Sequence, residues 1–409
     1  MGQPDISSET FPVEHYLEVM VRLLETVRYR DVNHTQAERR QILHHVYTRT
    51  AEHFSSPELQ RMIQAEPKVL QGGINTIVPM VVYAWAKVTL EQMVDLSIQF
   101  TFMLLLDDSA AEQGAGMESF FEDLVQSRPQ RNAWWRLFND RFPVLLRHYG
   151  PFCSLSLLRS SLDCRLTLSA FTQVFQGCWI DTHNFQGLKG AQDYPQFLRR
   201  LNGLGQFVGA SLFPASQARE QELLLQVASA MPHLEHWEIF VNDVMSFYKE
   251  FEAADDQAIL VRNYVRCGPQ ASVEEALDRV AGDATARSEI LCRVFIRDGE
   301  DGDVDPHVAA TVEAFCQGYV TWHLSDPRYR LRELGDRGGD SVAARKFREY
   351  LDAGAEAAVD AEHWAYPSVK TMAEAQLGND AESGVDRTVA IFVPTFDDEG
   401  AEVQPAFVV

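Results

Sequence analysis

A chain of 409 residues with 46% hydrophobic side chains can bury one large core or two ordinary ones, so length by itself leaves the domain count open. The formal net charge of −23 and a pI near 4.9 argue against nucleic acid or an anionic membrane as partner, because either polyanion would repel the molecule as a whole. An anionic substrate must therefore find a local cationic pocket or bring cations with it.

Residues 1–10 are polar, lack the basic start and apolar run of a signal peptide, and are expected to be disordered. No apolar stretch approaches the length of a membrane span. The six cysteines, Cys153, Cys164, Cys178, Cys267, Cys292 and Cys316, contain no Cys-x-x-Cys pair. They suggest neither a zinc site nor a dithiol redox centre and read as buried small hydrophobes, with a reducing cytoplasm as the default compartment.

From about Phe11 to Tyr366, apolar residues recur at spacings of three and four with few period-two runs, which predicts an all-α chain. No Pro- or Ser-rich linker divides it, so residues 11–371 are read as one helical domain. Thr89 and Gln92 have capping-box spacing, and a buried helix is expected from Thr89 to about Ser109. Phe100, Met103, Leu104 and Asp107 share one face of it. It ends on Asp107 and Asp108, adjacent carboxylates at the negative end of a helix dipole, an arrangement that calls for a nearby cation. Alone, the pair also fits a solvated turn.

Asp193-Tyr194-Pro195 and Asp305-Pro306 place proline where a first helical turn tolerates it. Between them, Asn242, Ser246 and Glu250 fall at i, i+4 and i+8 on one helical face. An amide oxygen, a hydroxyl and a carboxylate are hard donors suited to Mg²⁺, with Lys249 beside the row. The alternative is a polar stripe turned to solvent. Residues 372–409 have scattered acids and glycines without amphipathic period and are read as an irregular acidic tail.

Two oxygen-bearing motifs on separate helices, Asp107-Asp108 and Asn242 to Glu250, resemble those of the class I terpene cyclases, and in particular of fungal sesquiterpene cyclases. The resemblance extends through Leu24 to Asp31, Trp85 to Val88, Gly150 to Leu155, Tyr194 to Arg200 and Gly318 to Leu324. It implies a helical bundle around a deep apolar cavity, farnesyl diphosphate as substrate, diphosphate as co-product, and a homodimer. It further implies three Mg²⁺ ions, two held by Asp107 and the third by Asn242, Ser246 and Glu250. Arg199, Lys249, Arg328 and Tyr329 match diphosphate-binding positions, with Asp108 as a partner for Arg328. The carbocation left after ionisation needs a dry aromatic lining, for which Phe100, Tyr319 and Trp322 are the candidates. No side-chain base stands out; diphosphate itself is one candidate acceptor of the final proton, and the residues leave that base open.

Two departures from the family pattern are visible. The acidic motif reads Asp107-Asp108-Ser109-Ala110-Ala111, its next acid being Glu112, and residues around Cys164 to Gln173 have no counterpart in the pattern. Extra residues inside a helix would rotate the downstream positions, Val174 and Phe175 among them. A chain-elongating prenyltransferase normally carries two aspartate-rich motifs, and here the Asn242 row replaces the second. A cyclase with another sesquiterpene product and a non-catalytic helical binding protein remain as alternatives.

Overall fold

A computed structural model describes residues 10–31, 33–63, 65–108, 122–123, 126, 128–161, 187–202, 205–218, 220–252, 259–268, 272–296, 304–359, 367–373, 395–396 and 402–403. The N-terminal half comprises α1 (Val13–Thr26), α2 (Gln36–Ser55), α3 (Pro57–Ile63), α4 (Pro67–Ala84), α5 (Leu90–Asp108), α6 (Ala133–Leu146) and α7 (Pro151–Ser161). It is followed by α8 (Tyr194–Asn202), α9 (Gly205–Ser211), the single turn α10 (Ala215–Ala218), the long α11 (Glu220–Glu252), α12 (Ile259–Cys267) and α13 (Val273–Leu291). A π-helical turn at Cys292–Ile296 leads on to α14 (Pro306–Ser325), a 3₁₀ turn at Pro327–Tyr329, α15 (Leu331–Arg337) and α16 (Val342–Ala357). Among the described residues the only strands are Thr395–Phe396 and Glu402–Val403, an antiparallel pair within the expected irregular tail.

The predicted helix starts have local causes. Thr89 and Gln92 exchange the two bonds of a capping box, at 2.8 and 3.3 Å, so α5 begins where the spacing placed it. Asp305 accepts from the His307 N–H at 2.8 Å and Pro306 occupies the first turn of α14. Glu220, from α11, accepts the Phe152 and Cys153 N–H groups at 2.8 and 3.0 Å, capping α7 from another helix. Of the described cysteines, Cys153, Cys267 and Cys316 are buried while Cys292, in the π turn, is half-buried; all four are free.

One hydrophobic core runs through the bundle, from Phe11 to Val369. Helix α11 packs against α9 and α13, and α14 against α4 and α16, while α2, α4, α5 and α6 pack in succession. The α14–α4 crossing depends on Gly318: a Cβ there would stand 1.9 Å from the Tyr83 carbonyl oxygen. A buried ion pair ties the segment after α1 to this crossing. Arg39 Nη2 lies 2.6 Å from Asp31 Oδ2, both side chains fully buried, and the Thr321 hydroxyl also donates to Asp31. Arg39 additionally donates to the Ala357 carbonyl, so one guanidinium links α2 to the last turn of α16.

Candidate active site

Every fourth residue of α11 from Glu238 carries a side-chain oxygen: Glu238, Asn242, Ser246 and Glu250. The face is not solvated. Ser246 is 1% exposed, and Asn242 and Glu250 are half-buried, so the row points into the bundle rather than to solvent. The Ser246 hydroxyl donates to Glu250 Oε1 at 2.7 Å, close to the separation of roughly 3 Å expected for two oxygen ligands on one small octahedral ion.

Helix α14 decides which way the Asn242 amide points. His323 Nδ1 lies 2.8 Å from the Tyr319 carbonyl and must donate to it, leaving Nε2 as acceptor. The Asn242 Nδ2 group sits 3.2 Å from that Nε2 and donates to it, with Tyr329 Oη at 3.5 Å as a second acceptor. The amide nitrogen is thereby occupied by the protein, which leaves the amide oxygen as the group that Asn242 has to offer. Burial pushes the His323 imidazole down to about 3, so it stays neutral and can keep accepting. Together the amide oxygen, hydroxyl and carboxylate form a hard-donor set that fits Mg²⁺.

One turn earlier the same two helices make a second polar layer. The Tyr319 hydroxyl donates to Glu238 Oε1 at 2.8 Å. Burial pushes the Glu238 carboxyl up to about 8, against the opposing pull of the Tyr319 bond and the Arg199 charge. The four-residue steps from Glu238 to Asn242 and from Tyr319 to His323 show α11 and α14 running parallel here. Sequence reasoning assigned neither Glu238 nor His323. The signals were Glu238 four residues before Asn242 and His323 four residues after Tyr319.

Cationic side chains border the row. Arg199, from α8, is paired with Asp243 through Nε and Nη2, each 2.8 Å from Oδ1. Burial disfavours the Arg199 charge, but the adjacent Asp243 carboxylate outweighs this and raises its pKa, so the guanidinium stays charged. Lys249 Nζ stands 6.0 Å above the ring of Tyr329, which is itself buried in the 3₁₀ turn. Arg328, next to it, is exposed, and its N–H donates to the capping Asp326 at 2.9 Å.

The three aromatic candidates share a continuous wall. Phe100 contacts Phe207 at 5.0 Å and Trp85 at 5.2 Å between ring centroids, and Trp85 contacts Phe315 at 5.5 Å. Phe315 then meets Tyr319 at 5.4 Å, Tyr319 meets Trp322 at 5.5 Å, and Trp322 meets Tyr329 at 5.3 Å. Rings from α5, α9 and α14 thus lead from the last turns of α5 to the cationic end of the site. Their faces can stabilise positive charge and their bulk excludes water.

Asp107 and Asp108 form the last residues of α5; their side chains lie outside the described residues, as does the whole stretch Cys164 to Gln173 with Val174 and Phe175. A different acidic group, Glu91, Asp95 and His148, is close enough together to hold an ion. Two arginines already neutralise it: Arg141 lies 2.6 Å from Asp95, and Arg147 lies 2.6 Å from Glu91 and 3.3 Å from Asp95. Its two carboxylates also sit in the first turns of α5, about 18–24 Å along the helix from Asp107 at about 1.5 Å per residue. We read it as an ion-pair cluster that docks α6 on α5.

Comparison with known proteins matches the chain to a family. The family profile described as trichodiene synthase covers residues 10–387, which extends into the tail. The chain is 47% identical over 368 residues to the trichodiene synthase of Fusarium poae, covering 89% of this chain and 93% of that protein. It is 45% identical over 375 residues to the trichodiene synthase of Fusarium cortaderiae (91% and 96%) and 46% identical over 368 residues to that of Fusarium sporotrichioides (89% and 94%). With an all-α bundle, a buried oxygen row on α11 and an aromatic wall beside it, the chain belongs to the trichodiene synthase family of terpene cyclases.

Proposed function

We propose that this cyclase ionises farnesyl diphosphate and closes the resulting allylic cation to trichodiene, releasing diphosphate. The orientation of Asn242 carries the reading. A half-buried amide whose nitrogen is tied to a neutral histidine can only offer its oxygen, and it shares its helical face with a hydroxyl and a carboxylate. Asn242, Ser246 and Glu250 would hold one Mg²⁺ ion and Asp107 two more. When bound, the ions supply the positive charge that a departing diphosphate requires.

Arg199, Lys249, Arg328 and Tyr329 bind and orient the diphosphate. Arginine suits this because its planar fork bonds phosphate oxygens in pairs. Asp243 holds Arg199 in place before substrate arrives, and Asp108 is the partner of Arg328 once the site closes. Phe100, Tyr319 and Trp322 keep the cation dry, each aromatic face contributing about 0.5–2 kcal/mol. The active form is a homodimer in the cytoplasm. No described helix is long and apolar enough to cross a membrane.

Incubation with farnesyl diphosphate and Mg²⁺, then mass spectrometry of the volatile products, tests the proposal. Trichodiene as main product is expected. A different hydrocarbon or alcohol as main product refutes the product assignment, and no terpene at all refutes the enzymatic reading. Sedimentation of the purified chain checks the dimer.

A further inference from the structure

Glu238 is the one member of the α11 oxygen row left without a task by the reaction as described. It lies four residues before Asn242, so its carboxyl faces the same side of the helix, about 6 Å or roughly one turn further along the axis and away from Glu250. The residue is 8% exposed. Its Oε1 is aimed by the Tyr319 hydroxyl, whose ring belongs to the aromatic wall, while Oε2 is buried and finds no hydrogen-bond partner among the described residues. A buried carboxyl with an idle oxygen costs stability, and a carboxyl against a wall that shelters carbocations is chemically consequential.

We infer that Glu238 is a proton-accepting, product-determining residue of the cyclisation, taking the terminal proton through Oε2. The inference rests on the proposed cyclase reaction and replaces diphosphate as direct acceptor of that proton. In the closing step a C–H bond next to the last carbocation breaks, and its electron pair becomes the double bond of the olefin. The proton passes to the Glu238 carboxylate, so cation and anion are consumed together. The acid formed in this way is the resting form of the residue, so one proton per turnover leaves with the diphosphate and Glu238 is ready for the next substrate.

The surroundings suit both protonation states. Arg199 from α8 and the Tyr319 hydroxyl from α14 favour the carboxylate, while burial and the acids Asp243 and Glu235 on α11 favour the acid form. Near neutrality the resting group holds a proton, and the cation forming beside it drives that proton to the departing diphosphate, which leaves the carboxylate in place before the closing step. Tyr319 fixes the direction of the carboxyl, so the proton is taken from one face of the substrate cation.

The test compares wild type, Glu238→Gln and Tyr319→Phe on farnesyl diphosphate with Mg²⁺, scoring the full product profile by gas chromatography and mass spectrometry at several pH values. Glutamine keeps the shape and the Tyr319 bond but cannot accept a proton. It is expected to divert at least half of the terpene output to other olefins or alcohols, and to abolish any pH dependence of the product ratio seen in wild type. Tyr319→Phe retains the ring and removes only the aiming hydroxyl, so a smaller diversion in the same direction is expected even if Glu238→Gln fails to fold. A wild-type product ratio in either folded variant overturns the inference. A wild-type enzyme that forms no terpene would instead defeat the cyclase reading itself.

Discussion

Substituting Gly318 by alanine drives a methyl group into the backbone of α4. The new Cβ would lie 1.9 Å from the Tyr83 carbonyl oxygen, 2.4 Å from its carbon and 2.9 Å from Ala84 Cα. Ordinary contact begins near 3.4 Å, so α14 and α4 would have to part by about 1.5 Å, and neither partner is a side chain that can swing away. Overpacking of this kind costs about 3 kcal/mol at the upper end of the usual range. The helix-propensity gain of alanine over glycine returns about 1 kcal/mol, for a net loss of about 2 kcal/mol. The functional effect should be larger, because Tyr319, Trp322 and His323 come within the next two turns and would move with the helix. A misplacement of about 1 Å at a reacting centre can cost about 100-fold in rate. Urea denaturation monitored by circular dichroism, with turnover measured on the same preparation, reads both quantities. A Gly318→Ala protein with unchanged urea midpoint and turnover within twofold of wild type would refute the crossing geometry.

Asp107→Ala and Glu250→Ala are each expected to lower turnover at least 100-fold without changing the far-ultraviolet circular dichroism spectrum, since each removes a proposed metal ligand; undiminished rates would contradict the assignment. His323→Leu removes the acceptor that fixes the Asn242 amide, and the Mg²⁺ concentration for half-maximal turnover should rise about 10- to 100-fold. An unchanged Mg²⁺ requirement would show that Asn242 is oriented by something else. Arg39→Met strands the fully buried Asp31 carboxylate and should cost about 3–5 kcal/mol in chemical denaturation, part of which Asp31→Asn in the same chain restores. If the double variant is no more stable than Arg39→Met, the pair is not the reason.

The buried Glu238 carboxyl also makes a pH prediction. Its pKa is about 8 in the folded chain against 4.5 for the ordinary group, so between those values the native state holds the extra proton. Its contribution is therefore complete below pH 4.5 and declines as pH rises through 8, at up to about 1.4 kcal/mol per pH unit inside the window. Melting temperatures between pH 5 and 9 should fall more steeply for wild type than for Glu238→Gln. Parallel curves would show that Glu238 is not buried as an acid.

The sequence alone determined the features that depend on spacing along one helix. Recurrent apolar residues at three and four fixed the all-α class, Thr89 with Gln92 fixed the start of α5, and steps of four fixed Asn242, Ser246 and Glu250 to one face of α11. Such periodicity is a property of the backbone helix and survives whatever packs against it. The tertiary structure decided which helix supplies the facing layer and so what each polar group does. Asn242 meets His323, and Glu238 meets Tyr319, across 81 residues of chain in each case. No local pattern specifies such partners. Burial between α11 and α14 then leaves His323 neutral and keeps a proton on Glu238 near neutrality, because a charge far from water is costly in a way that no one-dimensional spacing conveys.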